Sequence, residues 1–554
     1  MLRDNIAQLI ADALRAAQAA DDLPEFEPPP VDIDRPRSQE HGDYTSNIAM
    51  RSAKLARKAP LQIAEAIARH VPTSEFVGRV AVAPPGFVNI TLADGWLAGQ
   101  VETIRRAGAA FADIDLGQGR PAQVEFVSAN PTGPMHFGGA RNAAIGDTLA
   151  RVLEAAGYQV QREYYINDTG SQITRFGASL YARYAQALGR DVAVPQDGYP
   201  GEYVKDYAAA ITAEHGADFL EKDPEVAARE LAALGQAMVL GRLKATLARI
   251  NVHFDRWFSE ASLYQSGASE QVLADLRARG LTYVKDGAEW LATSRFGSDR
   301  DEVLIRATGQ PGYYASDVAY HHDKFVTRGF DRVIDVWAVD HQNQARRMPY
   351  LMQALGLDPA RLDIVIYDLV KLVEGGQEVK MSKRGGTFIS LEDVLEDIDA
   401  DAVRFLLLTR SNEQVIEFDL GLAAAQSNEN PVYYVQYGHA RICSILRVAA
   451  ERGFADFEAG SAADLTHPLE LALVRQILRL PEIIEKVTAQ LAPHHLTHYA
   501  QELARAFHLF YHDCQVVDTE APALSRARLQ LVDATRIALA RTLGLMGMSA
   551  PEQM

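Results

Sequence analysis

The stretch that decides the fold is EFVSANPTGPMHFGGARNAAIGD, residues 125–147. It begins inside VEFV (124–127), a run that reads as a short strand. A loop, PTGPMHFGG, follows. Then Ile145, Leu149, Val152, Leu153 and Ala156 recur at helical spacing until Gly157 stops the stripe. YQVQREYYI (158–166) reads as the next strand. Strand, loop, helix and strand in this order make a βαβ unit, which requires a parallel, doubly wound sheet.

Outward from this unit, the alternation breaks between about 175 and 300, where helical, charged sequence predicts an insertion. It resumes at RVIDVWAV (332–339) and LDIVIYDLVKLV (362–373), two further buried strands. The expected catalytic unit therefore spans 113–390. Residues 1–112 predict a small α/β module: an amphipathic opening helix on Leu2, Ile6, Leu9, Ile10 and Leu14, the turn Pro28-Pro29-Pro30, a basic helix with Arg51, Lys54, Arg57 and Lys58, and a strand at Gly86-Phe87-Val88-Asn89-Ile90. Residues 391–554 predict an all-α bundle. Tyr499, Leu503, Ala506, Phe507 and Phe510 share one helical face, and Leu529, Val532, Leu539 and Leu543 share another.

Composition narrows the function. A chain of 554 residues outgrows one hydrophobic core, so two to four domains are expected. No run approaches the roughly 18–20 apolar residues of a membrane span. Asp4, Asn5, Gln8 and Asp12 interrupt the first apolar stripe, so no signal peptide is expected. With only Cys443 and Cys514, neither a disulfide framework nor an all-cysteine zinc site is available, and a reducing, cytoplasmic setting fits. A net charge of −18 is not the profile of a DNA-coating protein. It leaves room for RNA held on local basic surface, because screening confines such contacts to about 8–10 Å.

Two constellations carry chemistry. Pro134-Met135-His136-Phe137-Gly138-Gly139 lies between a strand and a helix. Small residues there admit a nucleotide to the backbone, and the helix N-terminus offers N–H groups to phosphate. His136 is placed to donate to a phosphate oxygen as charge builds. A plain strand-to-helix turn is the competing reading. Lys380-Met381-Ser382-Lys383 sits between Gly375-Gly376 and Gly385-Gly386. Two lysines three apart on a Gly-flanked loop suit a mobile clamp on a polyphosphate leaving group; a solvated basic loop is the alternative. Both motifs follow strands of one sheet, at the edge where open α/β sheets bind ligands.

In this order the pair resembles the HIGH and KMSK signatures of the class I aminoacyl-tRNA synthetases, and the chain is similar to the arginyl-tRNA synthetase family almost throughout. His41-Gly42-Asp43-Tyr44 and Pro85-Gly86-Phe87-Val88-Asn89 resemble its tRNA-elbow domain. Residues 125–147, Asn167-Asp168-Thr169-Gly170 and YPGEYV (199–204) resemble its catalytic domain. Asp401-Ala402-Val403-Arg404, NPVYYVQYGHARICSI (430–445) and MGMSAPEQM (546–554) resemble its anticodon-binding domain. The resemblance implies a Rossmann-like catalytic sheet, Mg-ATP, L-arginine and tRNA(Arg) as substrates, a monomer, and no zinc, DNA or membrane partner. It implies catalytic roles for His136, Lys380 and Lys383, and ATP contacts from Pro134, His136, Gly138, Gly139, Lys380, Met381, Ser382 and Lys383. Arginine contacts fall on Glu125, Ser128, Asn130, Tyr313, Asp317, His341 and Gln342, and tRNA contacts on Phe87 and Asn89. Locally, Glu125 also reads as a surface carboxylate at a strand end and Asp317 as a helix N-cap. Gly139 stands where the family usually has a second histidine, and it has no side chain to offer ATP. Two other functions share parts of this pattern: a small-molecule nucleotidylyltransferase and a non-catalytic tRNA-binding paralogue. The helical C-terminal region argues against the first. Intact Lys380, Lys383, Glu125 and Asp317 argue against the second.

Overall fold

Three short strands make the sheet of the N-terminal module: β1 (Tyr44–Ser46), β2 (Val77–Ala83) and β3 (Phe87–Leu92), antiparallel with β3 in the centre. The computed structural model describes residues 2–379 and 389–554, without the side chains of Gln39 and Tyr313. The helix Leu2–Ala19 buries Ile6, Ile10 and Leu14, the stripe expected from spacing.

The main sheet has five strands, β4 (Pro121–Glu125), β5 (Gln159–Ile166), β6 (Arg256–Ser259), β10 (Arg332–Ala338) and β11 (Leu362–Tyr367), in the order β11-β10-β4-β5-β6. Every neighbouring pair is parallel. The chain winds from β4 outward to β5 and β6, then returns to β10 on the other side of β4. The reversal leaves a crevice between the carboxyl ends of β4 and β10, where such folds bind ligands. The helix Phe137–Ala155 crosses from β4 to β5. Phe126 packs so closely on it that a Cβ on Gly146 would fall 2.2 Å from the ring.

Three expectations need correction. The region 175–300 is not one insertion. Helices Ser171–Ala187, Glu202–His215 and Pro224–Arg249 lead into β6, which belongs to the main sheet. A second excursion then carries an antiparallel sheet of β7 (Thr282–Lys285), β8 (Ala288–Leu291) and β9 (Glu302–Ile305). Next, the apolar run 362–373 is two strands. The chain turns at Asp368, whose N–H donates to the Asn412 carbonyl. β12 (Val370–Glu374) then leaves for a separate sheet with β13 (Gln377–Glu378) and β14 (Ile416–Asp419), so the lysine motif follows a strand of this small sheet and not, as expected, of the sheet that holds β4. Finally, β14 lies beyond the boundary expected at 390, so the segment up to the bundle pairs with the catalytic side.

The bundle proper starts at the helix Pro431–Ala449, with Asn430 accepting from the Val432 N–H as N-cap and Pro431 in the first turn. Tyr499, Leu503, Phe507 and Phe510 of the helix His494–Asp513 are buried, as are Leu529, Val532, Leu539 and Leu543 of Pro522–Leu545. The N-terminal module docks on this bundle through polar contacts. Glu482 takes both Arg35 and the Tyr44 hydroxyl, and Arg475 donates to Asp43 at 2.9 Å. Two residues of the His41–Tyr44 motif thus make a domain interface. No helix among the described residues is long and apolar enough to cross a membrane.

Candidate active site

The crevice at the carboxyl end of β4 and β10 opens into a cleft of about 510 Å³. Glu125 ends β4 and is 7% exposed, so it is not a surface carboxylate. Beyond it, Val127 and Ser128 take left-handed backbone conformations (φ 67° and 45°). For a β-branched residue this costs about 1–3 kcal/mol and persists only where surroundings impose it. Asn142, on the Phe137–Ala155 helix, imposes it: its Oδ1 accepts the Val127 N–H at 2.6 Å and its Nδ2 donates to the Val336 carbonyl at 2.9 Å. The tight turn brings the Ser128 hydroxyl within 3.2 Å of Glu125 Oε1 and 3.1 Å of the Tyr165 N–H. Asn130 sits exposed at the rim.

Opposite, the helix Tyr313–His322 presents Asp317 one turn inside its start, so Asp317 is not a cap. Gln344 Nε2 donates to Asp317 Oδ2 at 2.7 Å, and His341 Nδ1 lies 3.2 Å from Gln344 Oε1. Of the residues expected here, Glu125, Ser128, Asn130, Asp317 and His341 line the cleft together. Gln342 is exposed and does not; Gln344, two residues on, does. The Tyr313 side chain lies outside the described residues. Glu260, unforeseen, lines the cleft just past β6, with its oxygens held by Ser316 (2.7 Å) and Thr169 (3.0 Å). Burial pushes the carboxyl groups of Glu125 and Asp317 above the usual range. Buried, acceptor-only groups around a cleft of this size suit a cation with several donors, and a planar guanidinium most of all.

The turn that carries His136 lies beside this cleft rather than in its lining; Asn142, on the helix that follows, joins the two. His136 is the N-cap of that helix. Its Nδ1 accepts the Gly138 N–H at 3.0 Å, which places the ring proton on Nε2. Partial burial holds His136 below its ordinary pKa, so the ring is a neutral donor. The Phe137 N–H donates to the Ile389 carbonyl, the Leu391 N–H donates to the Met135 carbonyl, and His136 bridges Ser390. The downstream flank of the lysine loop is therefore stitched to the histidine motif. Lys380, Met381, Ser382 and Lys383 themselves lie outside the described residues. Pro134, Gly138 and Gly139 form the turn. A Cβ at Gly139 would meet Met135 Cε at 3.0 Å, so the methionine occupies the space a second histidine would enter. Tyr203 of YPGEYV lies over Gly133, where a Cβ would come 2.9 Å from the hydroxyl.

Two surfaces lie apart from the cleft. Phe87 and Asn89 share one face of β3; Phe87 is half-buried and Asn89 is 5% exposed. In the bundle, Tyr437, Arg441, Arg447, Arg452 and Tyr511 line a groove of about 1010 Å³ that the last residues, Glu552–Met554, also border. The Arg441 guanidinium lies over Tyr437 and Tyr511, 5.5 and 5.0 Å from the ring centres. Cations and aromatic faces together are the equipment for binding unstacked bases.

A five-stranded parallel sheet with a histidine-capped helix, its start bonded to the residues that follow the lysine motif, defines a class I tRNA synthetase catalytic domain. The sequence matches the family described as "tRNA synthetases class I (R), catalytic domain" over residues 110–428, "Arginyl tRNA synthetase N terminal domain" over 4–92 and "DALR anticodon binding domain" over 435–554. It is 45% identical to the arginine–tRNA ligase of Dehalococcoides mccartyi over 100% of this chain and 99% of the relative, and 44% identical to that of Heliobacterium modesticaldum over the same shares. The structure of Thermus thermophilus arginyl-tRNA synthetase superposes with a TM-score of 0.79 at 23% identity, covering 100% of both chains, which shows the same fold. This chain belongs to the arginyl-tRNA synthetase family.

Proposed function

We propose that the chain activates L-arginine with Mg-ATP and transfers it to the 3′-terminal adenosine of tRNA(Arg), acting as a cytoplasmic monomer. The observation that carries this reading is the bridge from His136 to Ser390 beside an acid-lined cleft at the same sheet edge. The arginine carboxylate attacks the α-phosphorus and pyrophosphate leaves. A terminal ribose hydroxyl of the tRNA then attacks the adenylate carbonyl and AMP leaves. No covalent enzyme intermediate is needed, so catalysis is positioning and charge stabilisation. His136 Nε2, with Lys380 and Lys383, stabilises the phosphorus centre and the leaving pyrophosphate. Asp317, Glu125 and Glu260 receive the cationic amino acid; Ser128, Asn130, Tyr313, His341 and Gln344 complete its surroundings. The bundle groove receives anticodon bases, and Phe87 with Asn89 touches the tRNA elbow.

The deciding experiment is ATP–pyrophosphate exchange with arginine, with and without tRNA(Arg). Arginine-dependent exchange that requires the tRNA is expected. Absence of exchange under both conditions, with tRNA still bound, would favour a non-catalytic tRNA-binding protein; exchange that needs neither arginine nor tRNA, only a small-molecule acceptor, would favour a nucleotidylyltransferase.

A further inference from the structure

Three acidic side chains stand in one row across the centre of the main sheet. Asp335 on β10 is in register with Glu125 on β4, and Glu125 with Glu163 on β5. Neighbouring strands lie about 4.8 Å apart, and residues in register point to one face. Asp335 and Glu163 have no exposure. Buried anions so spaced repel one another and need partners. The covering helix supplies them from one polar stripe, Asp317, Tyr320, His321, Lys324 and Arg328. It passes from α into a π turn over Asp323–Thr327, a distortion that recurs at functional sites.

The partners are shared unevenly. Arg328 and the Tyr320 hydroxyl satisfy Glu163. Asp335 Oδ2 faces His321 Nε2 at 3.0 Å. Lys324, fully buried, donates to Asp335 Oδ1 at 2.8 Å and to Glu125 Oε2 at 2.7 Å, with the Tyr320 ring centre 4.2 Å from its nitrogen. Glu125 is thus the member of the row that reaches the cleft, and Lys324 is the cation bonded to it. Its other oxygen, Oε1, meets only the Ser128 hydroxyl among the described residues.

We propose that Lys324 is a positioning residue for the amino-acid substrate, fixing Glu125 with one oxygen held in the core and the other turned to the cleft, so that a cationic amino acid meets a charged and aimed acceptor. The proposal rests on the reading of the cleft as the arginine site. Without the ammonium, two carboxylates in register cannot both stay ionised, and one keeps a proton. Asp335 retains His321, so the proton settles on Glu125. Glu125 lies nearer the substrate than the buried ammonium does, so losing its charge outweighs removing the distant cation.

The test uses the full-length enzyme with saturating tRNA. Lys324→Met is expected to raise the arginine KM roughly tenfold or more, the loss of one charge-assisted hydrogen bond, with the ATP KM little changed. Its arginine KM should fall as pH rises, with a midpoint at higher pH than wild type. The groups that face the pair, Asp335, Glu163, His321, Arg328, Tyr320, Tyr165 and Asp317, are common to both enzymes, so the shift reports the missing cation. Lys324→Gln, which keeps a polar side chain of similar length, should behave alike. Lys324→Arg should return the midpoint toward wild type. Glu125→Gln should raise the arginine KM without the shift, and adding Lys324→Met to it should cost little more. An unchanged arginine KM and midpoint in the neutral variants, or full additivity in the double variant, overturns the proposal while leaving the cleft as the arginine site. A normal arginine KM in Glu125→Gln overturns both. Loss of folding in both neutral variants reduces Lys324 to a structural ion pair and overturns it too.

Discussion

Asp317→Asn separates the charge of the cleft from its shape. In the structure Gln344 Nε2 donates to Asp317 Oδ2 at 2.7 Å. An asparagine there must turn its oxygen to that donor, which leaves its own NH2 facing the cleft and the donors of the substrate guanidinium. One charge-assisted hydrogen bond is lost, about 1.5–3 kcal/mol, so the arginine KM should rise roughly ten- to a hundredfold. Stability should move the other way. Burial raises the Asp317 pKa, so the folded chain binds that proton more tightly than the unfolded chain. The stability linked to it is present at low pH and is lost as pH rises through the raised pKa. The neutral amide escapes this loss, so without arginine the variant should melt higher than wild type above that pKa. The acid limb of the arginine KM should also flatten, because in wild type binding weakens as Asp317 takes up its proton. The assays are ATP–pyrophosphate exchange with saturating tRNA across pH, with arginine, lysine and citrulline, and thermal unfolding without substrate. Lysine should remain poor, because a point ammonium cannot satisfy a fork of acceptors. Citrulline should fail because its ureido oxygen opposes a carboxylate. An unaltered arginine KM in Asp317→Asn, or equal use of lysine or citrulline by wild type, would refute the reasoning.

Lys383→Ala should lower the single-turnover activation rate by a large factor with little change in arginine affinity, because a leaving-group contact strengthens in the transition state; an unchanged rate removes it from the clamp. Phe87→Ala should raise the KM for tRNA about fivefold or more, from base stacking of about 1–3 kcal/mol, and leave ATP and arginine parameters alone; normal tRNA binding with a lower melting temperature would make it a core residue. Arg404→Met removes a fully buried guanidinium bonded to Asp147, the Met546 carbonyl and the Ile250 carbonyl at 2.6–2.7 Å. Breaking such a pair costs about 3–5 kcal/mol, and Arg151 at 2.8 Å still serves Asp147, so a loss near the low end is expected in chemical denaturation; no measurable loss would show the junction to be dispensable.

What the sequence disclosed follows the strength of its periodic signals. β5, β10 and β11 were legible because each is an alternating or largely apolar run; for β4 the apolar run points to 124–127, whereas the strand is Pro121–Glu125 and the chain leaves it before Phe126. β6 was not legible: four residues, Arg256–Ser259, carry too little pattern to stand out among long helices. Glu260 was lost with it, since its place in the cleft depends on ending that strand. The break at Asp368 was hidden by apolar residues on both sides. Glu125 and Asp317 were found through the motifs that contain them. Lys324 was missed although its signal was present: from Asp317 the polar residues fall at three, four, seven and eleven positions on, one helical face, which reads as a solvated stripe until the acidic row beneath it is known. Gln344 in place of Gln342 is a matter of helix phase, which short turns leave open.

The helix Phe137–Ala155 shows why a site of this kind is built with polar residues in the core. Nearly all its residues are buried, yet Arg141, Asn142 and Asp147 are among them. Apolar residues of the same volume would often be as stable or more so. They could not, however, bond specific carbonyls. Arg141 donates to the carbonyls of Asp368, Ser411 and Gln414, which set the turn into β12 and the approach to β14. Asn142 holds the strained Val127 and the end of β10. Asp147 accepts Arg404, which also binds the Met546 carbonyl just before the C-terminal residues. Those residues continue to Ser549, bonded to Asp401, and to Glu552–Met554 at the bundle groove. One helix, capped by His136 at its start, therefore fixes the ends of the strands that shape the cleft and the first contact of the domain that carries the groove. Burial is not free here, since Arg141 Nε finds no hydrogen-bond partner among the described residues and desolvation pulls the guanidinium below its usual range, but the bonds that are made name particular partners, which is what a site assembled from distant segments requires.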